Sequence, residues 1–180
     1  MIPSADVCFE LMDRYGMLDH IRDHSIMVEK VASLIARGLV EAGENLSLRK
    51  VTAGALLHDI AKTPCLGTGQ DHAAKGEEIC LQNRLDEIAD IVGQHVHLRD
   101  YGRSSPIAEK EIVYYADKRV NEDQVVSLEE RLDYLLDHYG KNQRDLQRLI
   151  RENFELCKAL EKKLFAKLHF NPDTLPDMID

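Results

Sequence analysis

Apolar residues recur at helical spacing along most of the chain, and no stretch alternates convincingly in the manner of a strand. The pattern predicts a short first helix over about 4–15, stopping near Gly16, and a second over about 19–41. The second carries Ile21, Val28, Val31 and Ile35 on one stripe, and Gly43 and Asn45 break its pattern. A third helix spans about 47–62, capped by Ser47 and ended before Pro64, and "TPCLGTGQ" reads as a loop by its Pro and two Gly. A fourth starts near Asp71, a fifth covers about 86–97 and a sixth about 107–120, with "LRDYGRSSP" as a polar loop between the last two. Ser127-Leu-Glu-Glu130 is a capping box before Leu132, Leu135 and Leu136. A long helix over about 141–168 follows, and the tail "HFNPDTLPDMID", with two prolines, is expected to fray. The prediction is a single all-α domain over 1–180, without internal repeat or low-complexity tract.

The same periodicity raises a difficulty. "GALLHDIAK" is apolar, yet it carries His58 and Asp59 in its middle. His24 lies four residues before Val28 and seven before Val31, on the buried stripe. Ile88, Ile91, Val92 and His95 share one face; so do His72, Gly76 and Ile79. Asp117 lies four residues after Val113 and three before Val120. A single inward His is usually a satisfied core residue. Six such groups on five helices would need many separate compensations, because buried polar groups are costly unless paired. One metal centre satisfies them together. Four imidazoles and two carboxylates form a nitrogen/oxygen donor set without thiolate, suited to Fe, Mn, Zn, Co or Ni. Two divalent ions share the set more naturally than one, since a carboxylate can bridge them.

Composition narrows the function. The 180 residues carry 44% hydrophobic and 31% charged residues, as expected of a globular protein. The net charge of −9 argues against a long nucleic-acid track but leaves room for a small phosphorylated substrate. No apolar run reaches the length of a membrane span, and the early Asp6, Glu10 and Asp13 are unlike a secretory signal. Cys8, Cys65, Cys80 and Cys157 lack C-x-x-C spacing and read as free thiols in a reducing cytoplasm.

The ordered set His24, His58-Asp59, His72, His95, Asp117 resembles the HD-domain (HDIG-type) metal-dependent phosphohydrolase superfamily. "HDIAK" resembles its signature, "RDHS" its first His motif, "HAAKG" the H-x-x-x-G of binuclear members and "YYADKRV" the closing Asp motif. The resemblance covers about residues 20–120, as an HD core with a C-terminal helical extension over about 121–170. It implies that His24, His58, Asp59 and Asp117 hold one ion and that Asp59, His72 and His95 hold the other. It also implies hydrolysis of a phosphoester or phosphoanhydride, usually of a nucleotide. A hydroxide bridging the two ions is the expected nucleophile. Ala61 stands where many members have Gly. "GQHVHL" and the lack of Gly-Tyr-Pro depart from cyclic-dinucleotide phosphodiesterases. Ligand pattern and size also resemble symmetrical dinucleoside tetraphosphate hydrolases. A di-iron oxygenase and a non-catalytic nucleotide sensor are the competing classes.

Residues that could meet phosphate are Lys62, at the end of the HD segment, and His97, Arg99 and Arg103 beyond His95. Lys62 is the first candidate, and His97 is a candidate leaving-group acid. Lys118 and Arg119 are expected on a solvated face, and Gly76 is expected to permit close packing behind His72. The leucine stripe after residue 121 completes the core by default; the alternative is that it pairs two subunits in a homodimer.

Overall fold

The computed structural model describes residues 1–99, 101–102, 105–140 and 143–179. The helices are α1 (Ala5–Arg14), α2 (Asp19–Glu41), α3 (Leu48–Leu57), α4 (Lys62–Cys65), α5 (His72–Gln82), α6 (Asp86–Gly93), α7 (Glu109–Lys118), α8 (Leu128–Tyr139) and α9 (Arg144–Phe165). A 3-10 segment follows at Pro172–Met178. Side-chain caps set several starts. Ser4, Ser47 and Asp71 each accept from backbone N–H groups of the following turn. Ser127 Oγ accepts from the Glu130 N–H while the Glu130 carboxylate accepts from the Ser127 N–H, as the capping box requires.

Helix α2 is the central rod, packed on α3 and α7, while α5 pairs with α6 and α8 with α9. The predicted stripe of Ile21, Val28, Val31 and Ile35 is buried. The fold is mostly helical, and among the described residues no helix is long and apolar enough to cross a membrane. All four cysteines are free and buried. Burial pushes the thiols of Cys8, Cys80 and Cys157 up to about 12, so they are protonated and inert.

Five sequence expectations change. The third helix ends at Leu57, so the His58-Asp59 pair stands in the turn before α4. Pro64 lies inside α4, where its missing N–H is tolerated because first-turn N–H groups have no intrahelical partner. The fifth helix ends at Gly93 instead of 97, leaving His95 just beyond it. A small antiparallel hairpin, β1 (Val120–Asn121) and β2 (Gln124–Val125), was not visible in the pattern because each strand has two residues. The tail is ordered as the 3-10 segment: Leu175 is buried, and the Arg119 guanidinium donates to the Pro172 carbonyl at 2.9 Å.

Close approaches on α3 and α5 position the centre. A Cβ on Gly76 would lie 2.8 Å from Val92 Cγ1, so α5 reaches α6 only because this residue is glycine. A Cβ on Gly54 would lie 2.6 Å from Ile91 Cγ2 and 3.2 Å from Ile91 Cβ. Gly54→Ala is therefore expected to destabilise the protein by about 1–3 kcal/mol, as overpacking does. Urea denaturation checks this, with Ile91→Ala expected to relieve part of the added cost in the double variant.

Candidate metal centre

Four imidazoles and two carboxylates converge at the inner ends of these elements. His24 comes from α2, His58 and Asp59 from the turn after α3, and His72 from the first position of α5. His95 comes from the turn after α6 and Asp117 from the last turn of α7. Asp59 is 1% exposed and His58 is fully buried.

Three of the rings are held by main-chain carbonyls. His58 Nδ1 is 2.7 Å from Ala55 O, His95 Nδ1 is 2.7 Å from Val92 O, and His24 Nδ1 is 2.8 Å from Glu122 O. A carbonyl only accepts, so each Nδ1 carries the proton. In the neutral ring, Nε2 then presents its lone pair to the interior.

The inward atoms form two groups. In the first, His24 Nε2 lies 3.0 Å from Asp117 Oδ1. His58 Nε2 lies 3.6 Å from Asp117 Oδ1 and 3.5 Å from Asp59 Oδ2. In the second, His72 Nε2 and His95 Nε2 are 3.1 Å apart, and lie 3.3 and 3.4 Å from Asp59 Oδ1. Donors held about 2.0–2.2 Å from a common ion stand roughly 3.0–3.5 Å from each other. The spacings fit that requirement. Buried His58 Nε2 has no hydrogen-bond partner, although buried polar atoms nearly always have one. The two groups, buried except for the half-buried His72 and with donors brought this close, are compatible with divalent metal binding.

The electrostatics agree. Burial opposes the charge of Asp59, but the neighbouring His58, His72 and His95 rings and the Lys62 ammonium outweigh it. They hold its carboxyl well below the usual range. Asp117 is likewise buried and held low by Lys118, His24 and His58. Lys62 Nζ donates to Asp59 Oδ2 at 2.7 Å; burial disfavours its charge, but Asp59 more than compensates and raises its pKa.

The centre opens into a cleft of about 590 Å³. Asp59, His72, His95 and Asp117 stand at its floor with Lys62, and His97 is exposed at its edge. Arg99 is not among the lining residues; its guanidinium lies 3.6 Å from Glu77 and 3.9 Å from Asp90, on the α5–α6 surface. Arg103 lies outside the described residues. Lys118 and Arg119, expected on a solvated face, are buried instead. Lys118 Nζ folds back to donate to Asp117 Oδ2 and His95 O, each at 2.7 Å, and it lines the cleft. Helical periodicity missed it because a long side chain one residue after Asp117 can still reach the face that Asp117 occupies. Arg131, on α8, also lines the cleft, and no motif marked it.

A family model described as "HD domain" matches residues 21–122. The tRNA (cytidine(56)-2'-O)-methyltransferase of Thermoplasma volcanium is 34% identical over 97 residues, which cover 53% of this chain and 27% of that protein. The enzyme of the same name from Picrophilus torridus is 31% identical over 147 residues, covering 73% of this chain and 40% of that protein. An uncharacterized protein of Methanocaldococcus jannaschii is 25% identical over 159 residues, covering 79% of this chain and 91% of that protein. The chain thus spans less than half the length of the two methyltransferases it matches. No solved structure matches.

Because Asp59 alone contributes to both groups, its loss should affect both. Asp59→Ala is expected to abolish metal binding, whereas Asp117→Ala should retain roughly half of the metal through the His72–His95 group. Metal analysis of loaded, desalted protein checks this; full metal content in Asp59→Ala would refute the assignment.

Proposed function

The chain belongs to the HD domain family, and from that premise we propose that it is a metal-dependent phosphohydrolase. Its substrate on this reading is a small phosphate ester or anhydride, with nucleotides the leading class. His24, His58, Asp59 and Asp117 hold one divalent ion; Asp59, His72 and His95 hold the second. The observation that carries this reading is the division of labour on one carboxylate. Asp59 Oδ1 faces His72 and His95, while Oδ2 faces His58.

Ions held there supply Lewis acidity, which makes water a nucleophile near neutral pH and draws charge from phosphoryl oxygens. The remaining work falls to the chain. Lys62, beside Asp59 and open to the cleft, neutralises a phosphoryl oxygen that the ions leave uncovered. Lys118 holds Asp117 ionised and oriented. His97, which borders the cleft, is the group we assign to return a proton to the departing oxygen. Arg99 has no part in this scheme, being engaged with Glu77 and Asp90 away from the cleft.

Methyl transfer to tRNA is the named activity of two relatives, but the matched segments are 27% and 40% of those proteins. That activity supplies no argument for this chain, whose negative charge also disfavours a long nucleic-acid track.

Metal-replete protein is expected to release phosphate or phosphorylated product from a panel of nucleotides, small esters and dinucleoside polyphosphates. Turnover with Mn, Co or Zn in the absence of oxygen would exclude a di-iron oxygenase; nucleotide binding without turnover would indicate a sensor and defeat the proposal. Lys62→Ala is expected to keep its metal and lose about ten- to a hundredfold in kcat, the size of a charge-assisted contact. Parallel metal analysis and steady-state kinetics check both parts.

A further inference from the structure

The cleft has a second wall whose chemistry differs from the floor. Leu135 on α8 and Leu146, Leu149, Ile150 and Phe154 on α9 line it, facing the same space as Asp59, His72 and Lys62. Leu149 is 49% exposed, and Tyr139 at the end of α8 is 57% exposed. Large apolar groups left open beside a buried charged centre mark a surface made to be covered.

Most polar groups on this wall are already engaged; the exception is Arg131 Nε, which is buried without a hydrogen-bond partner. Asn153 Nδ2 donates to Val96 O, and Asn153 Oδ1 accepts from Tyr114 OH. Arg131 Nη1 donates to Asn121 Oδ1, and its guanidinium lies over the Tyr134 ring. Beyond Lys62 and Lys118 near the floor, Arg131 is the one Lys or Arg among the described lining residues. A chain of several phosphates running along this wall would find few cations to neutralise it. A single phosphoryl group at the floor, with an uncharged apolar group lying on α8 and α9, matches the distribution of charge.

We propose that the α8–α9 wall selects phosphate monoesters whose alcohol carries an apolar group, in preference to polar esters and polyphosphates. This rests on the phosphohydrolase reading above. In the reaction, the oxygen of water forms a new P–O bond and the P–O bond to the alcohol breaks. The alkoxide takes up a proton, giving the apolar alcohol and inorganic phosphate. The volume of about 590 Å³ suits one small organic ester.

The test compares 2-phenylethyl phosphate, glycerol 1-phosphate and a dinucleoside tetraphosphate on the metal-replete 180-residue chain. The two monoesters are primary alkyl esters, so a difference between them reports binding of the organic group more than leaving-group reactivity. We expect kcat/KM for the phenylethyl ester to exceed that for the glycerol ester by about tenfold or more, the effect of burying one to two methylene-sized groups or more. Leu149→Gln, a change at a half-exposed position, should raise KM for the phenylethyl ester and leave the glycerol ester unchanged. Equal use of both monoesters, preference for the tetraphosphate, or an equal loss on both esters in Leu149→Gln would overturn the proposal. An altered oligomeric state in Leu149→Gln without altered selectivity would assign the wall to a second copy and also overturn it. If none of the three compounds is hydrolysed, the phosphohydrolase reading fails and calorimetry decides the wall. Tighter binding of 2-phenylethyl phosphate than of inorganic phosphate, lost in Leu149→Gln, supports it; equal binding overturns it.

Discussion

A carboxylate with almost no access to water organises this molecule. Asp59 is 1% exposed, and an ionised carboxyl in that position is tolerable only if positive and polar groups surround it. They come from His58 beside it, Lys62 one turn on, His72 at the start of α5 and His95 beyond α6. A second buried carboxylate, Asp117, meets the same requirement with His24, His58 and Lys118. The two networks meet at His58. Such networks rigidify a core when every member is satisfied and destabilise it when one is missing. The carbonyls that hold three imidazoles at Nδ1 remove most of the rings' rotational freedom, so the inward nitrogens are aimed before any ligand arrives.

The carbonyl serving His24 belongs to Glu122, in the turn of the short hairpin. Glu122 has φ of 53°, a left-handed conformation that a residue with a Cβ adopts at some cost. The hairpin thus joins the C-terminal half of the chain to the metal-ligand set, and it does so through backbone rather than side chain.

The same half is tied to the core by buried polar contacts. Arg119 donates to the Val126 carbonyl at 2.6 Å, to Tyr115 OH at 2.6 Å and to the Pro172 carbonyl at 2.9 Å. Tyr115 OH donates in turn to Glu161 on α9. Lys163 on α9 pairs with Glu111 on α7 at 2.9 Å, both side chains nearly excluded from water. Breaking one partner of such a pair strands a buried charge and is costly, so α9 keeps a fixed place relative to α7. That placement leaves the cleft between the centre and the apolar side chains of α8 and α9.

Much of this was legible in the chain because helical periodicity and cap chemistry are local. The burial of His24 and Asp117 followed from their spacing to Val28 and Val113, and the starts at Ser47, Asp71 and Ser127 from their side chains; His95 is buried as expected, but from the turn beyond α6 rather than from a helical face. Local pattern also misled. The run through "GALLHDIAK" suggested one helix, whereas the helix ends before His58, where the turn lets Asp59 address two groups of histidines. Lys118 and Arg119 looked solvated because charge beside a ligand is usually surface charge, and only the approach of His95, Tyr115 and the Pro172 carbonyl buries them. By itself the sequence determined most of the helices, the buried stripe and the identities of the inward-facing donors. The tertiary structure alone decided which donors share an oxygen, which cations face the cleft and what wall stands opposite. Those are matters of distance between segments far apart in the chain, and periodicity carries information about direction within one element but none about the gap to the next.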